Sequence, residues 1–224
     1  MATGMMIGGQ WRKEGYAKDD QGRFLRNPTT FRNRITADGS SGFKAEPDRY
    51  HLYVSFACPW AHRTLIMRRL KGLEKAIGLS IVDPIMADEG WEFSDYPGSI
   101  PDPVNGAKYL RDIYAKADPN YTGRVTVPVL WDKQTNTMVN NESREIIRML
   151  DREFGAFAKN PVNFCPEDLR EEIDKTIDAI YNPINNGVYR AGFATSQEAY
   201  EEGITKLWLS RTYCDKHGLL KKTS

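Results

Sequence analysis

A chain of 224 residues with 40% hydrophobic and 27% charged side chains is long enough to bury a substantial core and too apolar to stay disordered. Its 31 Lys and Arg balance 30 Asp and Glu to a formal charge of +1, which removes the electrostatic drive toward nucleic acid or anionic lipid. No apolar run approaches the ~18–20 residues of a membrane span, and residues 1–9 lack the basic and apolar stretches of a secretory signal; three cysteines, Cys58, Cys165 and Cys214, are too few and scattered for a disulfide framework, so a reducing, cytoplasmic setting is expected.

In chain order, residues 1–48 read as an extended arm, rich in Gly, Asn, Thr and charge. Its irregularly placed aromatics (Trp11, Tyr16, Phe24, Phe31, Phe43) would pin it wherever one finds a groove. Residues 50–56 are aromatic and β-branched enough for a strand, and they run directly into Ala57-Cys58-Pro59-Trp60. From Pro59, which suits a first helical turn, Ala61, Leu65, Ile66, Leu70 and Leu73 mark one face of a helix that Gly72 stops. Residues 79–85 give a second strand, and strand–helix–strand at this spacing predicts a parallel pair.

Residues 86–124 form a long insertion punctuated by Pro97, Pro101, Pro103 and Pro119, with a short helical stripe at Tyr109, Leu110, Ile113 and Tyr114. Strands at 125–131 and 137–139 predict a hairpin, and a helix follows with Ile146, Ile147, Leu150 and Phe154 inward and Asn141 as its N-cap. Past a linker near 155–164 the pattern turns helical. Leu169, Ile173, Ile177 and Ile180 face one way on a helix ended by Pro183. Thr195-Ser196-Gln197-Glu198 reads as a capping box for another, with Tyr200, Ile204, Leu207 and Trp208 as its apolar face. Residues 210–224 show no sustained period and end in a basic tail, which leaves an incomplete helical bundle.

Cys58 is the informative residue. It closes a strand at the mouth of a helix, where unpaired N–H groups and the helix dipole favour the thiolate; most free cysteines, by contrast, are small buried hydrophobes. Cys165 and Cys214 read as that ordinary kind. The position three residues on is Ala61, not Cys, so a mixed disulfide at Cys58 needs a thiol from outside, and glutathione is the abundant candidate. His51, His62 and His217 have no metal-ligand spacing with the cysteines, and no metal is expected. Val127-Pro128, with a cis bond in a strand facing the thiol, would turn the Val127 backbone toward an extended tripeptide. Glu142 and Ser143 at a helix start could hold a ligand ammonium and carboxylate, or simply cap the helix.

Residues 49–73 with their Cys-Pro-Trp-Ala-His-Arg core, together with 124–131, 140–150 and 185–194, resemble the xi class of glutathione transferases, the glutathionyl-hydroquinone reductases, related to the omega class. The resemblance runs from about Trp11 to Gly203. It implies an α/β thioredoxin-like N-terminal domain (49–158, with the insertion at 86–124) followed by an all-α domain of glutathione transferase type, incomplete here (159–224). It implies Cys58 as nucleophile and Tyr189 as proton donor to the leaving hydroquinone. It also implies glutathione contacts from Trp91, Arg124, Val125, Thr126, Val127, Glu142 and Ser143. Glutathione is then the co-substrate and a small quinone-derived aromatic the second substrate. Read alone, Trp91 looks like core, Arg124 like a solvated cation and Tyr189 like a loop aromatic. Family members are longer and dimeric; from about Leu207 the text departs from them, residues 208–214 read as a replaced ending, and Tyr213 is not taken for a family tyrosine. Two other readings are an omega-like thioltransferase or dehydroascorbate reductase, and a catalytically weak glutathione-binding remnant with exposed apolar helix faces.

Overall fold

The structure is a computed structural model that describes residues 4–216 and 218. The chain divides into two compact units: residues 1–15 with 28–164, and residues 16–27 with the chain from Cys165 onward.

The first unit is built on a four-stranded sheet in the order β4-β3-β5-β6, with β3 Tyr50–Ser55, β4 Ile77–Val82, β5 Val129–Asp132 and β6 Thr137–Asn140. A separate hairpin, β1 Met5–Ile7 with β2 Gln10–Arg12, lies within the arm and had no periodicity to announce it. β3 and β4 pair in parallel from Tyr50↔Ile77 to Ser55↔Val82, while β5 is antiparallel to both β3 and β6, so the predicted parallel pair and hairpin are both present. Every residue of β3 is buried, as befits a central strand covered on both faces. The strand predicted over 125–131 begins only at Val129, because residues 125–128 stand outside the ladder and the Val127–Pro128 peptide is cis. The insertion contains one helix, α2 Leu110–Ala117, whose Leu110, Ile113 and Tyr114 are buried as the stripe predicted.

Helix α1, Pro59–Leu70, packs on β3 and on α3, Ser143–Arg152. Its buried residues are Ala61 and Thr64, with Leu65 half-buried; Ile66 and Leu70, expected inward, are 48% and 44% exposed. A small face lets α1 lie close, and Thr64 spends its hydroxyl on the Ala61 carbonyl at 2.6 Å. The N-cap of α3 is Glu142, whose side chain accepts from the Arg144 amide at 3.2 Å. Asn141, predicted for that role, is instead buried with its Nδ2 on the Tyr114 hydroxyl at 3.1 Å.

The second unit contains α4 Arg170–Ile180, α5 Gly187–Gly192 and α6 Gln197–Lys216. Pro183 does not end the helical path: residues Tyr181–Asn185 form a π-helical turn that carries the chain into α5. Ile173, Ile177 and Ile180 are half-buried and Leu169 exposed. Ser196, not Thr195, accepts from a helix amide, that of Ala199 at 3.2 Å. The predicted face of α6 holds in part, with Ile204 and Leu207 half-buried. Ala199, Gly203 and Cys214 turn inward, whereas Tyr200 and Trp208 are 45% and 57% exposed. Gly203 explains the choice, since a Cβ there would meet the Ala191 amide at 2.9 Å; only a glycine lets α5 and α6 touch backbone to backbone. The helix also runs on to Lys216, through sequence without apparent period. The rest of the predicted basic tail, 217 and 219–224, lies outside the described residues.

The segment 16–27 completes this unit. Phe24 is 7% exposed, with its ring 5.6 Å from that of Phe193 and 6.2 Å from that of Tyr189. Arg23 reaches Glu202 of α6 at 2.7 Å, and Glu202 also takes Lys206 at 2.6 Å and Arg190 at 3.0 Å. Hydrogen bonds from Lys206 and then Arg23 hold the Glu202 carboxyl down at about 2.

Candidate active site

In the first unit, three stretches far apart in sequence meet at one end of the sheet. β3 hands over to α1 at Cys58, which has extended backbone and stands at the N-cap of the helix, half-buried, with Pro59 just inside. The Cys58 thiol donates to the Val127 carbonyl at 3.5 Å, beside the cis peptide. The Val127 amide has no hydrogen-bond partner among the described residues. A backbone amide of this kind can pair with a ligand that approaches as an added strand.

The stretch before the cis peptide is braced from the insertion. Tyr114 of α2 donates its hydroxyl to the Thr126 carbonyl at 2.9 Å and accepts from the Thr126 amide at 3.2 Å and from Asn141. Burial pushes the Tyr114 phenol up, against hydrogen bonds from Asn141 and Thr126, so it stays a neutral donor. Val125 and Val127 are buried, so only their backbone can face a ligand. Arg124 is committed to the arm: its guanidinium donates to the carbonyls of Gly4 at 3.1 Å, Glu14 at 2.8 Å and Gly15.

Glu142 and Ser143 open α3, and both are tied to α1 by Arg63, for which the sequence offered no role of its own. Arg63 donates from Nε and Nη2 to Ser143 Oγ at 2.9 and 2.6 Å, and Nη2 lies 3.6 Å from Glu142 Oε1. Trp91 is half-buried against the core of this unit, its carbonyl holding the Leu110 amide at 2.9 Å. Tyr189 belongs to the second unit, on α5, where Arg26 lies over its ring at 4.4 Å and Asn186 anchors Arg26 at 2.5 Å. The structure thus brings Cys58, Val127, Glu142 and Ser143 to one region of one unit and adds Arg63 and Tyr114. The only signal for those two was an Arg five residues after the cysteine and a tyrosine on the insertion's stripe. Among the described residues no cluster of His, Cys, Asp and Glu could hold a metal ion, and no helix is long and apolar enough to cross a membrane.

Comparison with known proteins gives a consistent result. The family described as glutathione S-transferase, N-terminal domain, matches residues 57–153. The chain is 51% identical over 215 residues to glutathionyl-hydroquinone reductase YqjG of Escherichia coli strain K12, covering 92% of this chain and 66% of that protein. To glutathionyl-hydroquinone reductase PcpF of Sphingobium chlorophenolicum it is 48% identical over 215 residues, covering 96% and 67%. Among solved structures, a xi-class transferase from Natrialba magadii superposes with a TM-score of 0.88 at 50% identity, covering 96% of this chain and 65% of that one. The glutathione-bound structure of YqjG gives a TM-score of 0.85 at 48% identity, covering 95% and 66%. The chain therefore spans about two thirds of the length of the relatives it matches, 66% of YqjG and 67% of PcpF.

Proposed function

The chain belongs to the xi class of glutathione transferases, and from that premise we propose that it reduces S-glutathionyl-hydroquinones to hydroquinones through a Cys58–glutathione mixed disulfide, with glutathione as co-substrate. The observation that supports this most is the placement of Cys58 at the N-cap of α1, in contact with the carbonyl beside a cis-proline.

The chemistry is thiol exchange in two halves. Bound glutathione would run antiparallel to the Val127 backbone, with its γ-glutamyl end at the start of α3. There Glu142 offers a carboxylate to the ammonium and Ser143 a hydroxyl to the carboxylate. The Cys58 thiolate attacks the glutathionyl sulfur; the aryl C–S bond breaks, its electron pair stays on the aryl carbon, and Tyr189 supplies the proton. The hydroquinone leaves and Cys58 is left disulfide-bonded to glutathione. A second glutathione thiolate attacks the glutathionyl sulfur of that bond, which releases oxidised glutathione and restores the Cys58 thiolate. The substrate's glutathionyl sulfur and the thiol of the second glutathione, joined in oxidised glutathione, thereby supply the two electrons that turn the aryl C–S bond into C–H. Stabilisation of the thiolate falls to the α1 dipole and its first-turn amides beyond Pro59.

The test joins mass spectrometry to turnover. After incubation with oxidised glutathione, one glutathione adduct is expected on Cys58, with the buried Cys165 and Cys214 unmodified. Cys58→Ser should abolish turnover of a glutathionylated quinol, and substantial activity in that variant removes the mechanism. Turnover of a small glutathione mixed disulfide without turnover of the quinol conjugate would replace the reading by a general thioltransferase.

A further inference from the structure

We propose that Arg63 is a positioning residue: it fills both lone pairs of the Ser143 hydroxyl and so forces its single proton outward, making Ser143 a dedicated donor to a ligand carboxylate. The proposal rests on the glutathione reading above and adds to it the residue that sets carboxylate selectivity.

A serine hydroxyl can accept twice and donate once, and its proton turns to whichever acceptor is offered. Here that freedom is gone. Nε and Nη2 of Arg63 both point at Ser143 Oγ, at 2.9 and 2.6 Å, and neither can accept a proton in return. The hydroxyl finds no acceptor of its own among the described residues, although Ser143 is only 2% exposed. A buried donor left without a partner costs about 1–3 kcal/mol, a cost that an arriving acceptor relieves. The Ser143 amide is at the first position of α3, where no intrahelical partner exists, so an N–H and an O–H of one residue face the same acceptor. An anion is favoured there by the α3 dipole as well.

The fork also reaches Glu142, 3.6 Å from Nη2 to Oε1, so the two residues at the head of α3 are held by one guanidinium. A lysine cannot reproduce this: a single ammonium places one proton on the oxygen and leaves a lone pair to which the hydroxyl can turn. Arg63 lies on α1 five residues past Cys58 at its N-cap, so one helix and its cap carry both the reacting sulfur and the side chain that sets the far end of the ligand.

The experiment measures binding, by calorimetry on the full chain, of glutathione and of 4-aminobutyryl-cysteinylglycine, the same tripeptide without the γ-glutamyl α-carboxylate. Arg63→Ala is expected to weaken glutathione roughly 10–100-fold while moving the analogue less than about twofold. Arg63→Lys, which keeps the charge, should still lose about fivefold on glutathione. In a Ser143→Ala background, Arg63→Ala should add less than about threefold, because the hydroxyl it orients is already gone. Equal losses on both ligands, no loss on glutathione, or full additivity with Ser143→Ala would each overturn the proposal. A chain that retains its thermal midpoint yet binds neither ligand at millimolar concentration would instead remove the glutathione reading itself, and this inference with it.

Discussion

At the residue scale, His51 shows how burial sets chemistry. It is 3% exposed on β3, with its ring 4.8 Å from that of Tyr53 and room made by Gly78, where a Cβ would stand 2.3 Å from Nδ1. Ser80 donates its one proton to the Pro101 carbonyl at 2.8 Å, so Nε2 of His51, 2.7 Å from Ser80 Oγ, must be the donor between them. Burial pushes His51 down to about 4, opposed by Asp102 and aided by Lys133 and Arg68. The folded imidazole is therefore neutral at pH values where the unfolded chain binds a proton. This stabilisation is complete above about pH 6.5 and is lost progressively as pH falls toward 4. Between pH 6.5 and 5 the loss is about 1–2 kcal/mol. Denaturant unfolding across that interval should show the decline, and His51→Gln should flatten it; an unchanged slope in the variant would deny His51 the role. The same scale decides what sequence reveals about a site. Cys58 was legible because its strand and its helix are its immediate neighbours. Arg63 was not, because the residue that gives it meaning is 80 positions away.

Elements are joined here by buried charge as well as by apolar contact. Lys71, at the end of α1, meets Asp151 of α3 at 3.2 Å, with side chains 3% and 1% exposed. Lys71 Nζ also donates to the Val162 carbonyl at 2.6 Å, and Asp151 accepts from the Phe164 amide at 3.1 Å. The Lys159 amide donates to the Lys71 carbonyl at 3.0 Å. One ion pair thus locks two helices together and fastens the chain on its way out of the first unit. Removing one partner strands a buried charge, so Asp151→Ala is expected to cost about 3–5 kcal/mol and to quicken tryptic cleavage at Lys159. A Lys71→Met, Asp151→Leu pair should recover part of the global stability but not the protection of residues 159–164. If Asp151→Ala leaves both quantities unchanged, the clasp has no such function. Element existence was readable from composition and period: β3, β4, the β5–β6 hairpin, α1, α2 and α3 are all present, although β4 spans 77–82 where 79–85 was expected and β5 starts four residues late, at Val129. Faces and caps were less so. The inward side of α6 is chosen by the close approach of α5 at Gly203, and the cap of α3 by the pull of Tyr114 on Asn141, neither of which is local in sequence.

For the molecule as a whole, order along the chain and order in space diverge. Residues 16–27 lie between two stretches of the first unit, yet they pack into the second through Phe24 and Arg23. Composition marked this arm as extended and pinned by aromatics, but it could not say that different aromatics serve different units. Trp11 and Phe31 pack against the first core and Tyr16 and Phe24 within the second. Phe24→Ala is expected to destabilise the second unit by about 3–5 kcal/mol. Hydrogen exchange should then show α5 and α6 losing protection while β3 and α1 keep theirs; a uniform loss over both units would contradict this division.

The interleaving has a consequence for birth on the ribosome. Phe24 emerges roughly 165 residues ahead of the α5 ring of Tyr189 that packs on it, an interval of about 8–33 s at ~5–20 residues per second of synthesis. For that time Phe24 is a bare aromatic on a nascent chain, available to holdases and to neighbouring polysomes. A codon-level slowdown before residue 165 would lengthen the exposure without altering a single contact in the finished protein.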